Sequence, residues 1–186
     1  HCFTCDKNLR TVRNISRAMN NEGFAVLRFD FTGLGESEGE FSETDFSSNV
    51  QDLIDAGHFL EENYEAPTLL IGHSLGGAAA VFAAGKMEAV KALAVIGAPA
   101  SPQHVTNLFE NGIEEIQQKG AATVNIGGRP FKVSKQLLED LESKDMQEVL
   151  KELRKPLIVF HSPQDDIVGI ENAEKNYDAA HHPKSY

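Results

Sequence analysis

Residues 68–85 restrict the fold of this chain more than any other stretch. Thr68-Leu69-Leu70-Ile71 is a short, almost wholly apolar run, the pattern of a strand covered on both faces. Gly72-His73-Ser74-Leu75-Gly76-Gly77 follows at once, and Ala78, Ala79 and Ala80 open a small-residue stretch that runs to about Gly85. That order predicts a strand, a cramped turn and a helix packed closely on its neighbours. Gly72 and Gly76 remove side chains where the backbone must fold back most tightly. Such a turn projects the Ser74 Oγ above the sheet, and the helix N terminus aims free N–H groups at any anion formed beside it. The alternative is a serine that merely caps this helix. Against it stand the strand before the motif, the helix after it and the small residues lining that helix.

The rest of the chain repeats the same alternation. Leu9, Val12, Ile15 and Met19 recur at helical spacing within residues 7–20, and Gly23 suits the left-handed position that ends a helix. Ala25 to Asp30 reads as a strand. Phe31 to Phe41, with Gly33, Gly35 and Gly39, reads as a loop. Phe46, Val50, Leu53, Gly57 and Leu60 mark a second helix, broken by Asn63 to Pro67. Ala89 to Ile96 and Leu157 to Phe160 are further buried strands, and Glu171 to Ala180 is a helix. Helix and strand in strict alternation predict a mostly parallel sheet with helices on both faces.

Residues 100–152 depart from this rhythm. Val105 to Phe109 and Ile113 to Gln118 predict short helical turns. Ala121 to Ile126 and Phe131 to Val133 predict a hairpin about Gly127-Gly128. Leu137 to Leu153 predicts one or two helices. The stretch is too long for a simple crossover and reads as a small cap insertion over the C-terminal edge of the sheet, where ligand crevices of such folds lie.

The formal net charge of −11 argues against nucleic acid or an anionic membrane as partner. No apolar run approaches the ~18 residues of a membrane span, and the cytoplasm is the expected compartment. Cys2 and Cys5 are the only cysteines. With no histidine at recognisable ligand spacing they do not make a zinc site, and they read as a plain pair of loop thiols, a redox dithiol being the alternative. Neither metal nor cofactor is expected. The glycines of Asp30 to Ser37 lack the lysine and Ser/Thr pattern of a phosphate loop.

Four segments together resemble the α/β-hydrolase superfamily, and within it the serine-aminopeptidase-like or dienelactone-hydrolase-like proteins, which are often fused to a domain of the osmotically-inducible, organic-peroxide-resistance type. They are His1-Cys2-Phe3-Thr4, Asp30-Phe31-Thr32-Gly33-Leu34-Gly35-Glu36-Ser37, Gly72 to Gly76, and His161-Ser162-Pro163-Gln164-Asp165. The resemblance implies an α/β-hydrolase fold over residues 1–186, incomplete because the leading strands and the final strand with its histidine loop fall outside. It implies Ser74 as nucleophile, with Asp165, or its neighbour Asp166, as the acid that orients a histidine. Phe3 N–H and Leu75 N–H match the two donors of an oxyanion hole. His1 and His73 are candidates for contact with substrate. Cys2 and Ser162 stand where the superfamily usually has glycine.

The base is missing from the triad order. His181 and His182 are the only histidines after Asp165, and they precede the strand that must come before a histidine loop. The expected activity is therefore hydrolysis of small acyl compounds, esters or thioesters, with a histidine beyond residue 186. This chain alone is expected to show little turnover. A peptidase or amidase, and a hydrolase-fold scaffold without catalysis, are the alternatives. The expected partner is a small acyl substrate, with a fused C-terminal domain outside these residues.

Overall fold

A computed structural model describes residues 1–186. Four parallel strands form its sheet, in the order β1 (Leu69–His73), β2 (Ala92–Ile96), β5 (Leu157–Phe160) and β6 (Lys184–Ser185). Helices α2 (Phe46–Asn63), α3 (Leu75–Ala84), α6 (Met146–Glu152) and α7 (Glu171–Ala179) pack about it, and α1 (Arg10–Asn21) precedes them with Ser16 as its one buried residue. The parallel sheet with packed helices expected from the alternation is thus present.

Helix α3 is the centre of the core. Ala78, Ala79, Ala80, Val81, Ala83 and Ala84 are each at most 1% exposed, and the helix packs on β1, β2, α2 and α6. Its small side chains are what allow this. A Cβ on Gly77 would lie 2.8 Å from the Ala98 Cβ, and one on Gly72 would overlap the Gly76 and Gly77 backbone. At the other end of α3, the Lys155 ammonium donates to the carbonyls of Ala84 (2.6 Å) and Met87 (2.7 Å), satisfying the Ala84 oxygen that the helix leaves unpaired. We expect Lys155→Met to lower stability by about 1 kcal/mol, the size of a partly solvated charge-assisted pair. Urea unfolding of the two proteins measures it, and an unchanged midpoint would contradict it.

Helix α2 begins at a capping box: the Asp45 carboxylate accepts from Ser48 N–H (2.7 Å) and Ser48 Oγ accepts from Asp45 N–H (3.0 Å). Asp140 of α5 (Lys135–Glu142) accepts from Ser47 N–H and Oγ, which ties the 100–152 region to this helix. That region holds a 3-10 segment (Pro102–Gly112), α4 (Ile113–Lys119), and the antiparallel pair β3 (Ala121–Ile126) and β4 (Arg129–Ser134), then α5 and α6. Gly127 and Gly128 both have positive φ (60° and 82°), as a two-residue hairpin turn requires.

Three expectations need correction. Residues 25–30 run extended but form no strand, because no neighbouring segment supplies ladder bonds; Phe24, Val26 and Leu27 are 38–55% exposed. A run such as Ala25-Val26-Leu27 fits an extended backbone, and pairing needs a partner as well. For the same reason β1 is an edge strand and is not covered on both faces, with Ile71 38% exposed. Finally, Cys2 and Cys5 are not free thiols but form a disulfide with a Cα–Cα separation of 5.2 Å. The tight turn between them brings the two side chains within bonding reach.

Candidate functional site

Ser74 sits between β1 and α3 with φ 55° and ψ −128°. This is left-handed backbone that a residue with a Cβ adopts only when its surroundings impose it. The imposing contacts are visible: Ser74 N–H donates to Ile96 O on β2 (2.9 Å), and Ser74 O accepts from Gly77 N–H (2.8 Å). The residue is half-buried, and its hydroxyl makes no capping bond to α3. A serine serving only as a helix cap would make one. The segment leading into it is a paired strand, as the motif predicts.

Opposite the start of α3 lies the His1–Cys5 loop. Gly76 allows the approach, since a Cβ there would overlap the carbonyl oxygen of His1. The Cys2–Cys5 segment is a turn closed by Cys5 N–H on Cys2 O (3.1 Å), with Thr4 left-handed at φ 63°. Phe3 N–H donates to no protein group, and Leu75, as the first residue of α3, has no intrahelical acceptor for its own. Neither N–H group has a protein acceptor. Between loop and helix remains a cavity of about 10 Å³ lined by Phe3, Phe31, Leu34, Phe41 and Leu75 among others. It has room for roughly one water, so this contact is packing.

The loop is anchored from below. His1 Nδ1–H donates to Cys2 O (3.0 Å), which leaves Nε2 to accept from Phe31 N–H (3.2 Å), so the two bonds specify one neutral tautomer. Its side chain is 2% exposed. Asp30, with a fully buried side chain, accepts from Lys7 Nζ (2.7 Å), Lys7 N–H and Glu36 N–H (3.0 Å). Burial pushes its carboxyl up, but the bonds from Glu36 and Lys7 outweigh burial and hold it below the usual carboxylate range. A Cβ on Gly35 would strike this carboxylate, which is why the loop after Asp30 needs glycine there. None of the sequence reasoning singled out Lys7.

Asp165 follows β5. Its Oδ1 accepts from Ile167 N–H (3.0 Å) and Val168 N–H (2.9 Å), while Oδ2 faces Gly97 at the end of β2, where an added Cβ would be 3.2 Å away. Asp166 is exposed. β2 and β5 run parallel beside β1 and place Asp165 and Ser74 at the same, C-terminal edge of the sheet. His73 is half-buried, with Nδ1 lacking a partner. Burial lowers its pKa and the field of Asp165 opposes that shift. His161 has Nε2 3.9 Å from Asp165 Oδ2, but its side chain is fully buried and its Nε2–H donates to Val168 O (2.7 Å).

The remaining histidines are elsewhere. His181 and His182 precede β6, which pairs with β5 at Leu157↔Lys184 and Ile158↔Ser185. They therefore lie at the N-terminal edge of the parallel sheet, the opposite edge from Ser74, and His181 bonds Lys151 O (2.8 Å). His104 is half-buried and bonds Ile167 O. No histidine of the chain hydrogen-bonds the Ser74 hydroxyl. The structure also exposes a polar trough of about 450 Å³ between the 3-10 segment, α6 and α7, lined by His104, Gln147, Asn172 and Lys175 among others. It contains neither Ser74 nor Asp165.

A serine on a left-handed hinge between a parallel strand and a buried helix, with a carboxylate at the end of a later strand, defines an α/β-hydrolase. The chain belongs to the family described as Serine aminopeptidase, S33, whose model matches residues 7–149. It is similar to the esterase domain of a Rhodothermus marinus protein, at 49% identity and a TM-score of 0.75 over 100% of this chain and 72% of that one. It is 29% identical to mouse mitochondrial palmitoyl-protein thioesterase ABHD10 over 78% of this chain and 50% of that protein. The solved mouse ABHD10 structure shares the fold, at a TM-score of 0.77 and 24% identity over 100% of this chain and 75% of that one. The chain spans about half the length, or less, of the curated relatives it matches.

Proposed function

We propose that this chain carries the nucleophile half of a serine hydrolase acting on small acyl esters or thioesters. Ser74 Oγ attacks the acyl carbonyl and passes its proton to a histidine from outside these 186 residues. Phe3 N–H and Leu75 N–H receive the charge that develops on the carbonyl oxygen. The histidine returns the proton to the departing alcohol or thiol. Water, deprotonated by the same histidine, then releases the acid and restores the serine. Asp165 holds that imidazole in its working tautomer and stabilises it once protonated. His1 serves this site by shaping its loop, and residues 100–152 cap the acyl end.

The observation that carries the reading is the strained, half-exposed Ser74 beside two N–H groups that no protein acceptor uses. The likeness to an esterase domain and to a thioesterase supports an acyl substrate over a peptide. A scaffold without turnover is the second reading, favoured by the absence of any histidine on the Ser74 hydroxyl. The test is a panel of p-nitrophenyl esters and S-acyl thioesters of graded chain length, offered to the protein at its full natural length and to Ser74→Ala. Turnover abolished by the substitution supports the hydrolase; equal rates from both proteins, or none from either, would refute it.

A further inference from the structure

We infer that Arg129, at the base of the β3–β4 hairpin turn, is a positioning residue that holds the His1–Cys5 loop in the shape that aims Phe3 N–H. The inference rests on the hydrolase reading above and adds a brace to it. Thr4 is the pivot. It is buried and β-branched, yet has φ 63°, a combination that relaxes unless something holds it. The Cys2–Cys5 disulfide and the His1 Nδ1–H bond to Cys2 O tie the ends of the turn, leaving rotation of the Thr4 carbonyl as the motion by which the Phe3–Thr4 segment could still relax.

Arg129 is placed to prevent that. Its Nη2 donates to the carbonyl of Thr4, across 125 residues of sequence. The guanidinium is itself fixed, lying over the Phe131 ring with its carbon 5.3 Å from the centroid. Phe131 meets Phe41 edge-on at 5.4 Å, and Phe41 tilts against Phe3 at 5.5 Å. The hairpin therefore touches the loop twice, through a hydrogen bond at Thr4 and through a run of aromatic rings at Phe3. The glycine turn at 127–128 lets β4 begin where Arg129 can reach. Its partner is a backbone oxygen, and the planar guanidinium keeps its geometry at low entropic cost.

The experiment compares Arg129→Ala and Arg129→Lys with the wild type, in the protein at its full natural length, using p-nitrophenyl butyrate. Arg129→Ala should lower kcat about tenfold, less than the 10²–10³ that outright loss of an oxyanion donor costs. KM should stay within about twofold, because the loop acts on the developing charge rather than on the bound ester. Arg129→Lys, which keeps a cationic donor, should recover most of the rate. A wild-type kcat in Arg129→Ala would overturn the inference. So would a loss that Arg129→Lys does not relieve, or one that appears in KM. Ser74→Ala separates the two ideas. If it turns over like wild type, the hydrolase reading fails; if it is silent while Arg129→Ala is fully active, only the brace fails.

Discussion

Asp165→Asn is expected to reduce turnover by about 10⁴-fold while leaving the melting curve unchanged. The carboxylate is held at Oδ1 by two backbone N–H groups, from Ile167 and Val168. An asparagine keeps that acceptor in place and sets its amide nitrogen where Oδ2 was. A donor then faces the imidazole instead of an acceptor, and the ring is steered to the tautomer that cannot take the serine proton. Asp166→Asn is the matched comparison. That side chain is exposed, so its loss should leave the rate within twofold. Steady-state kinetics on an activated ester decide it, and more than a tenth of wild-type activity in Asp165→Asn would remove Asp165 from the mechanism.

The second large effect is expected at Gly76. An alanine there drives a methyl group into the carbonyl oxygen of His1. Backbone cannot swing aside as a side-chain tip does, so either α3 or the loop must move. We expect a loss of stability of about 1–3 kcal/mol and, with Phe3 N–H and Leu75 N–H in the oxyanion roles proposed above, a fall in kcat of roughly 10²–10³. Gly85→Ala provides the contrast within the same helix. Gly85 has ordinary helical angles (φ −64°, ψ −23°) and meets only Phe82 O at 3.5 Å, so alanine should be neutral or stabilise by up to about 1 kcal/mol. Equal behaviour of the two variants would mean that the loop-to-helix approach has no functional weight.

Much of this fold was legible from pattern because its cause is local. The turn at 72–76 declares itself through glycines that no other geometry requires, and the hairpin through Gly127-Gly128. The alternation of helix and apolar run marked β1, β2 and β5 as strands of a mostly parallel sheet. Long-range pairing was not legible. Residues 25–30 have a strand's composition, but a strand exists only with a neighbour, and composition does not say whether one is present. The network beneath the candidate site was invisible for the same reason. Lys7 meets Asp30 across 23 residues and Arg129 meets Thr4 across 125, and neither basic residue differs locally from one on a solvated surface. The Cys2–Cys5 bridge was misjudged because a C-x-x-C spacing fits thiols, metal ligands and a disulfide alike.

The account rests on Ser74 being a nucleophile, and covalent capture tests that most directly. A fluorophosphonate probe reacts at phosphorus with an activated serine hydroxyl, releases fluoride and leaves a stable adduct. Incubated with the protein at its full natural length and digested for mass spectrometry, it should modify the peptide containing Gly72 to Gly76 at Ser74 alone. The label should disappear in Ser74→Ala. A well-folded protein that stays unlabelled at Ser74, or is labelled equally after that substitution, would contradict the account.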